Sequence, residues 1–236
     1  VLEFCCSDQS LIGKHAPRGT RVHRLTASDD MTSITGMAKA IQIIRKAKRV
    51  ALWGSLPCTG GSLVQNANLK NPGHKERMQG HWQLFKDLWK NFETLARMVR
   101  NKNGSISFEL PRKNKYWSYN KLNDFLREMN MNRARFDGCQ FGLVSKIDGA
   151  PINKPWQVAT NDWFMHTALD GQRCTPGSIC TTGVQHRWAE GSDTLATESY
   201  TIPLVKTIHA AWKTGLKHPG PYKLFGWHDV PGTLRE

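Results

Sequence analysis

The chain has no apolar run approaching the roughly 18 residues that a membrane-spanning helix requires, so a membrane-embedded class is set aside. It has no internal repeat and no low-complexity tract, which removes solenoids and compositionally driven disorder. Cysteine is sparse and placed wrongly for a secreted disulfide scaffold: of the six, Cys5 and Cys6 are adjacent within an apolar stretch. A reducing compartment, nucleus or cytosol, is the expectation. There is no initiating methionine and no basic-then-apolar leader before Val1-Leu2-Glu3-Phe4, so the segment is expected to come from a longer polypeptide. Acid is scarce beside base. Against 33 Lys and Arg stand 19 Asp and Glu, a net charge of +14, which favours a polyanionic partner, nucleic acid foremost. No basic amphipathic helix of the kind that lies on membranes accompanies that charge.

At 236 residues with 39% hydrophobic content the chain can bury a full core. Its pattern alternates strand and helix, which points to an α/β fold. Val1 to Cys6 and Arg21 to Thr26 are expected strands, with N-cap chemistry in Asp29-Asp30-Met31-Thr32-Ser33. Met37, Ala40, Ile41, Ile44 and Ala47 then follow at helical spacing. Val50-Ala51-Leu52-Trp53 is a compact strand running into Gly54-Ser55-Leu56-Pro57-Cys58-Thr59-Gly60-Gly61-Ser62, where glycine and proline force a turn. Residues 63–81 are expected to form a long basic loop. Leu84, Leu88, Trp89, Phe92, Leu95, Ala96 and Val99 share one helical face, and Gly104 to Phe108 is the next strand, closed by Glu109-Leu110-Pro111-Arg112. A short helix capped by Asn120, a closing strand pair (135–142 and 155–160) and a last helix near Pro203 complete the outline. In that last helix Leu204, Ile208, Ala211 and Leu216 are expected to face inward.

The Pro57-Cys58 turn sits at the carboxyl end of a strand, the edge where open α/β sheets hold ligands. A thiol there is a candidate nucleophile, because turn N–H groups can lower its pKa; the plain alternative is a buried structural thiol. Glu109 occupies the equivalent end of the next strand, so the two side chains can serve one pocket as nucleophile and proton handler.

The ordered motifs resemble the DNA cytosine-5 methyltransferase family. Leu56-Pro57-Cys58 matches its Pro-Cys motif and Phe108-Glu109-Leu110 its Glu-Asn-Val motif, while Leu2 to Ser7 sits where that family holds its glycine-containing methyl-donor loop. Asp30 and Thr32 fall where an acidic residue faces the adenine of S-adenosylmethionine. Phe136-Asp137-Gly138-Cys139-Gln140 is similar to the eighth motif, and Glu198-Ser199-Tyr200-Thr201 with its helix to the tenth. The segment also resembles a domain of dinoflagellate retroelement polyproteins. The sequence departs from the family pattern at Cys5-Cys6-Ser7-Asp8, at Leu110-Pro111, and at Phe141-Gly142-Leu143, where a pair of arginines is usual.

The resemblance implies a Rossmann-like class I methyltransferase fold, a central, mostly parallel sheet with helices on both faces. It implies a catalytic core at 1–160, a short turn-rich insertion at 161–198 in place of a large target-recognition region, and a C-terminal helical segment at 199–236. It further implies methylation of cytosine C5 in nucleic acid, DNA foremost, with Cys58 attacking C6 and Glu109 at N3, supported by Pro57 and Arg112. Phe4, Cys5, Cys6, Ser7, Ser10, Asp30, Thr32, Ser55 and Pro57 would bind S-adenosylmethionine. Lys70, Lys75, Arg77, Lys113 and Lys115 would hold phosphates. The alternative is a catalytically silent, basic nucleic-acid-binding module of a mobile-element polyprotein.

Several features carry a plainer reading beside the functional one. Asp before a helix is usually a cap, and the basic residues of 66–77 also suit a solvated loop. Trp82, Trp117 and Trp188 have polar neighbours and are candidates for base stacking, against ordinary packing. Zinc-deaminase chemistry is excluded, because Gly61 stands where a second cysteine is needed. Cys174, Cys180 and His186 lie within thirteen residues. A structural zinc would suit them, with His166 or Cys139 as fourth ligand, yet five residues between the cysteines is not a standard knuckle spacing. Ordinary loop residues are the favoured reading, and no metal is expected.

Overall fold

The computed structural model describes residues 1–174, 179–189, 191, 193 and 197–217. Of the expected C-terminal segment 199–236, the part beyond Lys217 lies outside the described residues, as do several positions of 161–198. The elements run β1 (Leu2–Phe4), α1 (Leu11–Lys14), β2 (His23–Leu25), α2 (Ile34–Lys46), β3 (Ala51–Gly54), α3 (His74–Asn101) and β4 (Ser105–Pro111). Then come α4 (Asn120–Glu128), β5 (Asn132–Asp137), β6 (Pro155–Thr160), α5 (Trp163–Leu169) and α6 (Ile202–Lys217). Among the described residues the strands form one six-stranded sheet in the order β2-β1-β3-β4-β6-β5. β1 pairs in parallel with β2 and β3, and β3 with β4; β6 runs antiparallel to both of its neighbours. This mostly parallel sheet with helices on both faces is compatible with a Rossmann-like fold.

Alternation along the strands builds the two faces. Leu2 and Phe4 of β1, Leu52 of β3 and Ile106, Phe108 and Leu110 of β4 pack with the inner faces of α2, α3 and α4 in one core. Trp53, Phe136, Trp156 and Val158 face the other way, into a second core closed by α1, α5 and α6. The first core is densely aromatic: Phe92 lies 5.7 Å edge-on from Phe4, 5.4 Å from Trp89 and 5.6 Å from Phe108. The face of β4 opposite its apolar residues carries Ser105, Ser107 and Glu109, all buried. Ser107 answers Thr160 of β6 at 3.0 Å.

Because β1 is followed by β2 on one side while β3 lies on its other side, connections diverge between β1 and β3. The crevice at their carboxyl ends is the natural ligand position of such a sheet. Phe4 is in register with Gly54 there, and Ser55 N–H donates to the Phe4 carbonyl at 3.1 Å.

Four expectations are corrected. The stretch 63–81 is not one loop: a 3-10 segment covers Leu63–Asn68, and α3 has begun by His74. Its first two turns carry exposed Lys75, Glu76, Arg77 and Gln79, so no apolar period marks them. Within the expected capping stretch 29–33 it is Ser33 that caps α2, its Oγ accepting from Gly36 N at 3.0 Å, so the reading of Asp29 or Asp30 as that helix's cap is withdrawn. Asn120 is the first residue of α4, not its cap. Leu216 is 43% exposed, and Trp212 and Gly215 fill the inward positions of that helix end.

Removing the ring that joins three of these aromatics should be costly. Phe92→Ala is expected to lower unfolding free energy by about 3–5 kcal/mol, read as a fall in the urea midpoint with the m-value unchanged.

Candidate active site at the carboxyl ends of β3 and β4

The turn after β3 is shaped by what lies under it. Cys58 precedes the 3-10 turn Thr59–Gly61, and its carbonyl accepts from Gly61 N at 3.2 Å and from Asn114 Nδ2 at 2.8 Å. A Cβ at Gly61 would sit 1.9 Å from Asn114 Oδ1, and one at Gly60 would sit 2.5 Å from the Tyr116 hydroxyl. Only glycine lets this loop settle against the segment after β4. That contact fixes Cys58 relative to Glu109.

Glu109 is buried, and its Oε2 accepts from the Tyr200 hydroxyl at 2.9 Å. The same hydroxyl lies 2.7 Å from Ser55 Oγ, and Trp53 Nε1 donates to both oxygens at 3.0 Å. Lys154, which lies over the ring of Trp156 at 5.2 Å and bonds the Thr197 carbonyl, adds a cation to the group. Burial pushes the Glu109 carboxyl upward, opposed by Lys154 and by the Tyr200 hydrogen bond. Burial likewise raises the Cys58 thiol; Glu109 raises it further and Lys154 acts against both. The thiol, carboxyl and ammonium are therefore near enough to set one another's charge. The expectation that turn N–H groups lower the Cys58 pKa is overturned: burial and a neighbouring carboxylate outweigh them.

The other expected site residues divide. Pro57 and Ser55 belong to the same turn. Arg112 directly follows β4 and is held by Asp137 at 3.3 Å, with its side chain 27% exposed. Phe4 contributes only backbone to the crevice, since its ring is fully buried beside Phe92. Cys5 follows it with φ 58°, a left-handed conformation that glycine adopts without strain. Burial pushes the thiols of Cys5 and Cys6 up to about 12. Ser7 Oγ accepts from Gln9 N at 3.0 Å, and Ser10 Oγ donates to Glu3 Oε1 at 2.5 Å. Glu3 Oε2 is buried and has no hydrogen-bond partner among the described residues. Asp30 accepts from Thr32 N at 3.1 Å and Thr32 Oγ1 at 2.6 Å, the two forming a closed turn.

Of the expected phosphate contacts, Lys75 and Lys115 line a cleft of about 680 Å³ that also includes Gly60, Trp82 and Lys86. Lys70, Arg77 and Lys113 are exposed but do not line it. Trp117 is withdrawn as a stacking residue: it is 8% exposed and its Nε1 donates to the Pro111 carbonyl. Trp82 is packed on Tyr116 and Phe85, and Trp188 is 84% exposed. A larger cleft, about 1040 Å³, opens at the opposite edge, where β1, β3 and β4 begin. Arg18, Arg21, Lys46, Lys48, Arg49 and Lys102 are among its lining residues.

Sequence reasoning missed Lys154 and gave Tyr200 no role. Lys154 lies in an irregular segment with no periodicity, 45 positions from Glu109. Tyr200 carried a signal, because it stands in the stretch similar to the tenth motif. No protein-family model and no curated protein sequence matches the chain.

The mutual charges can be tested with the purified protein. Glu109→Gln is expected to lower the pH midpoint for iodoacetamide labelling of Cys58, and Lys154→Met to raise it, followed peptide by peptide in a mass spectrometer. Equal midpoints in all three proteins would mean that these groups do not sense one another.

Proposed function

We propose that this chain is a methyltransferase acting on C5 of cytosine in nucleic acid, DNA foremost, with S-adenosylmethionine as donor and a class I methyltransferase fold. The observation that carries this reading is the meeting of Cys58 and Glu109 at the carboxyl ends of adjacent parallel strands, beside the crevice between β1 and β3. Support for the donor comes from three features of that crevice. Cys5 adopts a glycine-like conformation where the family resembled has its glycine-containing loop. Glu3 offers a buried, unpartnered carboxylate oxygen suited to a cationic N–H donor. Ser55 lies on the shared wall, hydrogen-bonded to Phe4. Residues 3–7, Ser10, Asp30, Thr32 and Ser55 would hold the donor, which when bound supplies an electrophilic methyl group.

The chain's own groups then have complementary tasks. Cys58 Sγ must lose its proton and bond C6 of an extruded cytosine, pushing electrons toward C5. Burial raises the cost of that thiolate, and the Lys154 ammonium offsets part of it. Glu109, whose pKa is raised, holds a proton more readily than an ordinary carboxyl and can present it to N3. Tyr200 fixes the carboxyl in position through Oε2. After methyl transfer a base removes the C5 proton, the C5–C6 double bond re-forms, the C6–S bond breaks and the N3 proton returns to the Glu109 carboxylate. Lys75 and Lys115, on the 680 Å³ cleft beside Gly60, are suited to phosphates of the bound strand.

The test is titration with S-adenosylhomocysteine, joined to trapping on a 5-fluorocytosine oligonucleotide. Wild-type protein is expected to bind the former and form a covalent adduct with the latter. Cys58→Ser should bind but form none, and Glu109→Gln should slow adduct formation by about 10²–10⁴. No binding and no adduct would refute the enzyme reading.

The 1040 Å³ basic cleft favours a second reading, a nucleic-acid-binding module without chemistry, since it lies at the sheet edge away from Cys58. On that reading Lys46→Glu with Lys48→Glu should weaken oligonucleotide binding and reduce the slope of log affinity against log salt by about 1–2. Adduct formation by Cys58 would be absent. An unchanged slope would show that the cleft does not meet phosphate.

A further inference from the structure

A third cluster of buried residues stands apart from the two cores, and it consists of Cys139, Cys174 and Cys180 alone. The ligand atoms of these thiols and of His186 all lie within 4.8 Å of one another. The sulfurs of Cys174 and Cys180 are 3.8 Å apart. A disulfide would need about 2.0 Å, whereas two thiolates on one tetrahedral zinc, each about 2.3 Å from the metal, stand about 3.8 Å apart. The imidazole supplies an independent sign. Both ring nitrogens of His186 are buried and neither has a hydrogen-bond partner among the described residues. A neutral imidazole left so loses both a donor and an acceptor interaction, a deficit that metal ligation by one nitrogen removes in part.

We infer that Cys139, Cys174, Cys180 and His186 form a structural zinc site, with three thiolates and one imidazole closing the tetrahedron. The surroundings suit thiolate ligands. Thr181 N–H points at Cys174 Sγ at 3.3 Å, and Gln140 Nε2 lies 3.8 Å from Cys139 Sγ while bonding Thr181 Oγ1 at 2.9 Å. Such outer N–H groups orient sulfur ligands and spread their charge. Binding displaces the thiol protons to solvent and leaves a closed site with no open position for a substrate, so its role is structural. His166 is not one of the four; it lies in α5, stacked on Trp163 at 6.3 Å.

The placement explains what the metal would hold. Cys139 lies in the 3-10 turn Gly138–Phe141 that follows β5, whereas the other three ligands come from 174–186. Asp137, just before that turn, accepts from Cys174 N at 3.0 Å and pairs with Arg112 at the end of β4. Zinc would thus fasten the turn-rich segment to the sheet edge, one ion pair away from the strand that carries Glu109. This inference is independent of the proposed chemistry, because a non-catalytic module would need the same fastening.

The experiment uses the full chain purified without chelator. Elemental analysis is expected to give one zinc per chain, and replacement by Co(II) to give the visible absorption of a tetrahedral, thiolate-rich centre. Cys180→Ser and His186→Ala should each lose the metal, while His166→Ala keeps it. Should a variant fail to fold, the Co(II) spectrum of the native chain decides alone. Less than a tenth of an equivalent of zinc with no Co(II) spectrum, or a Cys174–Cys180 disulfide found by mass spectrometry, would overturn the site. Zinc retained in folded Cys180→Ser and His186→Ala would do the same.

Discussion

The buried carboxyl of Glu109 at the end of β4 imposes conditions on everything near it. A charged group out of water must be paired, hydrogen-bonded or protonated, and this one is served by the Tyr200 hydroxyl and the nearby Lys154. Tyr200 is in turn fixed by Ser55 and by Trp53, whose ring meets Trp212 of α6 edge-on at 5.9 Å. One chain of contacts therefore joins β3, β4, the approach to α6 and the segment before β6. Its cost has a sign. An unfolded glutamate ionises near 4.5 and the folded one higher, so between those values the native state holds the extra proton. The stability contributed by that proton is present at low pH and lost as pH rises through the folded value. A leucine at position 109 would avoid the penalty of burying a carboxyl.

The outline of the fold was legible because its signals are local. The strand at 51–54 is a short apolar run between turn residues, and α3 shows a continuous apolar face from Phe85 to Val99. What escaped lies where burial does not write a period. The first turns of α3 are polar on nearly every side, and Leu216 keeps a helical spacing without meeting the core. The placing of Cys58 just past one strand and of Glu109 near the end of the next was also legible, and β3 and β4 are parallel neighbours in the sheet. The charge state of Cys58 was not. A Gly/Pro turn suggests available N–H groups, but only the packed structure brings buried Glu109 close enough to act on the half-buried thiol.

Lys154 illustrates the limit more sharply. Its role depends on an irregular segment returning to the sheet, where Arg112 N bonds the Pro155 carbonyl and the backbone enters β6. The carboxyl on β4 and the ammonium before β6 are brought together by antiparallel pairing, with Glu109 opposite Val158 and Leu110 opposite Gln157. No spacing rule on the sequence gives that register. In the thiol cluster the sequence offered the members, Cys174, Cys180 and His186 with His166 or Cys139, but only the fold chooses Cys139, 35 positions before Cys174.

The two electrostatic centres of the molecule meet through Arg112 and Asp137. Asp137 is 2% exposed and ends β5, while Arg112 follows the end of β4. Their pairing holds together the carboxyl ends of two strands that are separated in the sheet by antiparallel β6. Such a partly buried pair adds little net stability on its own, since desolvation offsets much of its attraction. Its value lies in orientation: with Oδ1 facing Arg112, the Asp137 carboxylate presents Oδ2 to Cys174 N. A displacement at Cys174 would therefore reach Asp137 first and, through the ion pair, Arg112. The geometry ties the start of the turn-rich segment, at Cys174, to the carboxyl end of β5 and through it to Arg112.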